Sequence, residues 1–158
     1  MLKKEIKQMT FVGKVFAPSM MDAQRTYIEA NSEVEADEGF KQFLAGKQLE
    51  NKRASMVVFG PESFMYWYGV LVKGEVESPA GLMKYQLPAA EVAEDTIDGQ
   101  ISNFSMPLNF VIPEVMKKVG DSGMQVYENP GDSEVPYFVQ ALDLDTKKLT
   151  QIWYESAK

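Results

Sequence analysis

The 158-residue sequence contains neither cysteine nor histidine. Without cysteine the chain forms no disulfide bond, which is compatible with a cytoplasmic protein. The two absences exclude Ser-His-Asp and Cys-His catalytic machinery within this chain. They also exclude zinc, iron–sulfur and haem centres that depend on His or Cys ligands. No calcium-binding loop motif is present either, so we expect no metal ion and no other cofactor.

Positive charge is also scarce, because 16 basic residues stand against 23 acidic ones and give a net charge of −7. An acidic surface repels phosphate backbones, so we expect no direct nucleic-acid partner. No apolar run approaches the length of a membrane span, and the first residues lack the apolar core of a signal peptide. We therefore expect no membrane partner and a cytoplasmic location. An acidic, aromatic-rich chain is better suited to cations and apolar small molecules.

Apolar periodicity predicts an α+β fold in one domain, built from two β-α-β-β halves at about residues 10–73 and 81–145. A polar Gly/Pro connector joins the halves, and an extra C-terminal strand is predicted at 149–154. Duplicated units of this kind pair antiparallel sheets around a central groove, which is the natural ligand site. The predicted strands are 10–17, 54–59, 64–72, 82–97 with a break at Pro88, 124–128 and 137–144. Helices are predicted in pieces within 20–49 and over 104–119, where Pro113 should introduce a kink or a new start.

The stretch Tyr66-Trp67-Tyr68 raises the question of which rings line the groove. Side chains alternate along a strand, so Tyr66 and Tyr68 share one face and Trp67 takes the other. We expect Tyr66 and Tyr68 to wall the groove, although plain strand packing also accounts for aromatic side chains on either face. The candidate ligand-binding residues are Tyr66, Tyr68, Trp67, Tyr127, Phe138, Gln140 and Trp153.

The layout of about residues 10–145 resembles the GyrI-like (gyrase-inhibitory-protein-like) family of small-molecule effector-binding domains, in its free-standing form. The resemblance is carried by Gly81-Leu82, Leu87-Pro88-Ala89 and Gln125-Val126-Tyr127, in that order along the chain. It implies an aromatic groove that binds amphipathic, often cationic, small molecules, in a protein that senses or sequesters them without a DNA-binding segment of its own. The family often places a carboxylate at the bottom of this pocket. Aligning the predicted hairpins puts Gln140 there, which replaces a charge by hydrogen-bonding groups.

Two other functions stay open at the level of the sequence. Some relatives of the family resemble hydrolases that open electrophilic compounds, and here Glu128 or Glu91 would serve as base with a tyrosine as acid. A buried carboxylate with a raised pKa would be the mark of such an enzyme. The remaining alternative is an inhibitor-type domain that binds a protein partner and fills its groove with its own side chains.

Overall fold

Eight antiparallel strands form a single sheet in this computed structural model, which describes residues 1–157. The sheet order is β1-β6-β8-β7-β3-β4-β2-β5. The strands are β1 (Leu2–Ile6), β2 (Met9–Phe16), β3 (Lys52–Phe59), β4 (Phe64–Lys73), β5 (Met83–Leu87), β6 (Ala90–Asp98), β7 (Tyr137–Asp143) and β8 (Lys148–Ala157). The helices are α1 (Ile28–Ala36), α2 (Glu38–Lys47) and α3 (Leu108–Asp121). The predicted α+β class with antiparallel strands is confirmed.

The two halves of the sheet have equivalent strand orders when each is followed from its outer edge towards the middle. One half supplies β2, β4 and β3, the other supplies β6, β8 and β7, and the two halves meet where β3 pairs with β7. The short outer strands are exchanged, because β1 pairs with β6 of the second half and β5 pairs with β2 of the first half. The sheet is therefore continuous across the two halves.

The sheet curls strongly, and the tyrosines of β5 and β7 show how far. Three strands lie between β5 and β7, which corresponds to about 19 Å in a flat sheet. The hydroxyl oxygens of Tyr85 and Tyr137 are nevertheless only 3.0 Å apart. Gly13 and Gly69, which face each other across β2 and β4, permit this curvature because a Cβ at either position would lie within 2.1 Å of a backbone oxygen. The face carrying Tyr85 and Tyr137 is thus the concave face.

All three helices pack on the opposite, helix-side face of the sheet. Helix α1 covers β2 and β4, α2 packs against α1, and α3 covers β8. No helix within residues 1–157 has both the length and the apolar character needed to cross a bilayer. The middle strands β3 and β7 therefore form the floor between α1 on one side and α3 on the other.

Local chemistry accounts for the helix boundaries. The predicted region 20–49 gives two helices with a break at Asp37, whose carboxylate accepts a hydrogen bond from the Phe40 amide (2.9 Å) and so caps α2. Helix α3 runs through Pro113 without a new start, and the 3₁₀ helix Ile101–Ser105 precedes it. Phe104 therefore lies outside α3, although the sequence pattern placed it inside.

One predicted strand does not form, and one strand was not predicted. Residues 124–128 have no regular secondary structure, because both edges of β7 are already paired, with β3 and β8. The predicted C-terminal strand forms as β8 and is the hairpin partner of β7 in the centre of the sheet. The hairpin alignment that singled out Gln140 was consequently wrong. Strand β1 was missed because its residues are mostly exposed and polar.

Candidate functional site

Strands β3 and β7 lie in the middle of the sheet, and their helix-side surface runs between α1, which covers β2 and β4, and α3, which covers β8. We call this strip of the helix-side face the helix-side groove. Five of the seven predicted ligand-binding residues lie on this face, because they sit at positions of β4, β7 and β8 that point towards the helices: Tyr66, Tyr68, Phe138, Gln140 and Trp153. All five are buried. Whether they contact a ligand stays a prediction.

Tyr66 is fixed by α1 rather than left free in the groove. Its ring stacks on Tyr27 with the centroids 4.1 Å apart, and its hydroxyl donates to Asn31 Oδ1 at 2.8 Å. Burial raises the pKa of Tyr66, and it raises the pKa of Tyr27 to about 12. Both phenols therefore stay neutral at physiological pH, and a ligand reaching the Tyr66 hydroxyl must displace Asn31.

Tyr68 belongs to a charged cluster on the same wall. Its hydroxyl donates to Glu35 Oε2 at 2.5 Å, and the same oxygen accepts from Arg53 Nε at 2.8 Å. Arg53 also lies over the ring of Phe40, 5.6 Å from its centroid. Burial, followed by the hydrogen bond with the Glu35 carboxylate, raises the pKa of Tyr68. Glu35 is thus an acidic group in the groove whose charge is already matched by Arg53.

A second polar cluster lies across the groove. Gln151 Nε2 donates to Gln140 Oε1 at 3.0 Å, and Lys118 Nζ donates to Gln151 Oε1 at 2.7 Å. Lys118 also pairs with Asp95 at 2.8 Å, and this hydrogen bond lowers the pKa of Asp95. Both polar atoms of the Gln151 amide and the Gln140 amide oxygen are therefore hydrogen-bonded within the protein. The arrangement presents amides and a paired lysine to the groove, with no free carboxylate.

Aromatic rings fill the space near the start of β4, next to a cavity. Trp153 packs against Phe59 and Phe138, with centroid distances of 5.7 and 5.8 Å. Phe64 is the cross-strand partner of Phe59, and Phe64 and Ile112 pack against the helix-side core to which Phe138 and Trp153 belong. Beside them lies a cavity of about 400 Å³, lined by Met21, Arg25, Phe64, Leu108, Asn109, Ile112 and Pro113. We call it the groove cavity.

The other two predicted residues lie elsewhere. Trp67 points to the concave face, where its ring makes edge contacts with Phe11 and Tyr85. In the same aromatic layer Tyr137 contacts Tyr154, whose buried hydroxyl has no hydrogen-bond partner among residues 1–157. Tyr127 is 37% exposed in the irregular segment that precedes β7. Trp67 and Tyr127 are therefore not brought together with the other five.

The carboxylates named for a hydrolase lie away from the groove cavity. Glu128 is exposed in an irregular segment, and Glu91 lies on β6, 3.4 Å from Lys3. The carboxyl group with a pKa raised by burial is Glu155, which lines a different cavity together with Glu91 and Lys3. Among residues 1–157, the carboxylates that the groove offers are therefore Glu35, paired with Arg53, and Asp95, paired with Lys118.

Four polar residues of the groove were not found from the sequence: Asn31, Glu35, Lys118 and Gln151. Asn31 and Glu35 share one side of α1, four residues apart, and this i, i+4 spacing was the available signal. Gln151 alternates with Trp153 on β8, so that the strand carries two buried side chains towards α3. Lys118 gave no signal, because a lysine in the last turn of a helix is ordinary.

Comparisons with known proteins show the fold. No protein-family model matches the sequence, and the curated proteins give no match either. Among solved structures the chain is similar to SAV2435 bound to tetraphenylphosphonium, with a TM-score of 0.51, 16% identity, and coverage of 97% of this chain and 91% of that one. It is also similar to the integron cassette protein VCH_CASS2 from the mobile metagenome of Vibrio cholerae, with a TM-score of 0.51, 10% identity, and coverage of 97% and 94%.

A third similar structure is EcmrR in its complex with DNA, with a TM-score of 0.54 and 10% identity. That match covers 99% of this chain and 57% of the EcmrR chain. At such low identities the shared feature is the fold. The chain therefore shares the architecture of SAV2435, of VCH_CASS2 and of part of EcmrR.

Proposed function

We propose that this chain is a GyrI-like protein that binds small amphipathic aromatic molecules in the helix-side groove. The observation that carries the proposal is the groove cavity, whose mostly apolar lining lies beside the cluster of Phe59, Phe138 and Trp153. Ligand pockets of proteins are typically clefts of this size, with apolar walls and a few polar groups. The similarity to a structure with bound tetraphenylphosphonium supports a bulky aromatic ligand.

Charge pairing in the groove favours neutral ligands over cationic ones. The carboxylate of Glu35 is paired with Arg53, and that of Asp95 is paired with Lys118. Gln140 and Gln151 provide amides instead of a negative charge. A cationic ligand must therefore compete with an internal arginine or lysine and also meets the positive charge of Arg25 in the cavity lining. A neutral aromatic ligand avoids both costs and meets mainly rings, amides and apolar side chains.

The ligand class and the site are tested together by two probes of similar shape. Tetraphenylphosphonium is a lipophilic cation, and triphenylphosphine oxide is a neutral aromatic compound. A ligand that binds the native state stabilises it by about 2.7 kcal/mol at a free concentration 100 times Kd. For a chain of this size that corresponds to a rise in Tm of roughly 5–10 °C. We expect triphenylphosphine oxide to raise Tm more than tetraphenylphosphonium does at the same free concentration, because its Kd is expected to be lower.

A variant that fills the groove cavity assigns the effect to this site. Asn109 is exposed on α3 and lines the cavity, so Asn109→Trp should block the ligand without removing any core side chain. Gln42→Trp makes the matching change on the exposed surface of α2 and should leave the shift unchanged. Ligand-induced shifts that survive in Asn109→Trp would place the site elsewhere, and no shift with either probe would count against small-molecule binding.

A further inference from the structure

A second cavity, of about 550 Å³, lies at the end of the sheet where β3 and β8 begin and β4 and β7 end. Its charged lining is five basic residues and one acidic residue: Lys47, Lys52, Arg53, Lys73, Lys148 and Asp143. The whole chain carries a net charge of −7, so this concentration of positive charge opposes the general character of the surface. We call it the basic cavity.

Three of the five basic groups are held by acidic partners. Lys52 pairs with Asp143 at 2.6 Å, Lys148 with Asp98 at 2.5 Å, and Arg53 with Glu35 at 2.8 Å. Lys47 and Lys73 are exposed, and their ammonium groups have neither an ion pair nor a hydrogen bond among residues 1–157. Two ammonium groups are therefore available to an anion, in a concavity that three fixed cations surround.

The remaining lining defines the rest of the ligand. Leu49, Leu71, Val72, Ala141 and Leu142 provide an apolar surface, and Thr146 and Thr150 add hydroxyl groups. Apolar walls with a few charged groups are typical of a site for a small organic molecule rather than for a bare inorganic ion. The negative net charge also disfavours a nucleic acid, whose phosphates are repelled along the rest of the surface.

We propose that the basic cavity binds a small organic anion with an apolar body and a phosphate or carboxylate group. Lys47 and Lys73 contact the anionic group, and the leucine-rich wall contacts the body. Charge-assisted hydrogen bonds from ammonium to phosphate or carboxylate oxygens supply the affinity. The basic cavity shares Arg53 with the helix-side groove but shares no lining residue with the groove cavity, so the proposal does not depend on the function proposed above.

The test uses 1-naphthyl phosphate, with 1-naphthol and inorganic phosphate as its neutral and purely anionic halves. Isothermal titration with the full-length chain should give binding of 1-naphthyl phosphate, and at least about tenfold weaker binding of the other two. The double variant Lys47→Gln/Lys73→Gln should raise the Kd of 1-naphthyl phosphate by about tenfold. Added salt should weaken the wild-type complex as well, because the contacts are exposed.

Two matched variants make the outcome decisive. Lys7→Gln/Lys117→Gln removes the same charge at exposed sites outside the cavity and should leave the affinity unchanged. Asn109→Trp fills the groove cavity and should also leave the affinity for 1-naphthyl phosphate unchanged. A failure of the basic-cavity proposal is therefore distinguishable from a failure of the groove proposal. Equal binding of 1-naphthol, an equal loss in the Lys7/Lys117 control, or binding confined to a nucleic acid would each overturn the proposal.

Discussion

Two buried tyrosine hydroxyls on opposite faces of the sheet differ in hydrogen bonding, and this difference should determine their contributions to stability. The Tyr66 hydroxyl is bonded to Asn31, and the Tyr154 hydroxyl has no hydrogen-bond partner among the described residues 1–157. A buried polar group gains little from burial unless it is paired, and removing one partner of a buried pair leaves the other unsatisfied. The same substitution should therefore have unequal effects at the two positions.

Tyr66→Phe should lower the free energy of unfolding by about 1–3 kcal/mol, because Asn31 Oδ1 is left buried without its donor. Tyr154→Phe, its matched control, should change the free energy of unfolding by less than about 0.5 kcal/mol or raise it, because it removes an unpaired group. Urea unfolding of both variants measures the difference. Equal losses would show that the Asn31 contact contributes nothing specific.

At the scale of the element, β2 and β4 lie too close together at the Gly13–Gly69 pair for either residue to carry a side chain. The Cβ of an alanine at position 13 would lie 2.1 Å from the Tyr68 carbonyl oxygen, so the strands would have to separate. Gly13→Ala should therefore destabilise the protein by about 3 kcal/mol or more. Gly46→Ala, in α2 with nothing within 4 Å of the added Cβ, should instead stabilise it by up to about 1 kcal/mol. Thermal unfolding of the two variants provides the comparison, and a Gly13→Ala protein with unchanged Tm would contradict it.

Elements with strong local patterns could be predicted from the sequence, and those defined by distant partners could not. The alternating residues of β3, β4 and β7 and the apolar stripe of α3 identified these elements, and Pro88 marked the break between β5 and β6. Strand β1 is mostly exposed and polar, and it is a strand only because β6 offers it an edge. Residues 124–128 have strand-like composition, but both edges of β7, with which the sequence predicted them to pair, are taken by β3 and β8. Apolar periodicity can be seen in a short stretch of sequence, whereas the strand with which that stretch pairs cannot.

The same distinction applies to the candidate site. Alternation correctly placed Tyr66 and Tyr68 together and Trp67 on the opposite face. Which face carries the helices depends on the direction in which the sheet curls, and strand alternation alone does not give that direction. The polar partners Asn31, Glu35 and Lys118 come from helices whose docking the sequence does not reveal. The aromatic residues could therefore be recognised from the sequence, and the hydrogen-bond partners of their hydroxyl groups could not.

At the scale of the whole molecule, carboxylates that are paired in the folded state make stability depend on pH. Hydrogen bonds with Lys14 and with the Phe40 amide lower the pKa of Asp37, and paired lysines lower those of Asp95, Asp98 and Asp143. A carboxylate with a lowered folded-state pKa contributes stability that is present above its unfolded pKa of about 3.9. That stability is lost as the pH falls through the lower, folded-state pKa.

The free energy of unfolding should therefore be nearly constant from pH 7 to pH 5 and should fall steeply below about pH 4. Asp37→Asn keeps a residue that can cap α2 but removes the charge that pairs with Lys14. It should lower stability at pH 7 and reduce the fall between pH 4 and pH 2, as measured by urea unfolding at each pH. A slope identical to that of the wild type would exclude Asp37 as one of the titrating groups.

The exchange of outer strands has a consequence for the order in which the chain is made. When the first 73 residues have been synthesised, β1 has no partner and the outer edge of β2 is open, because residues 83–98 supply the pairs for both. An uncovered strand edge on a nascent chain is a place where other chains can add. The outer strands of the first half are therefore open to misassembly until β5 covers β2 and β6 engages β1, and the inner edge of β3 stays open until β7 has been made.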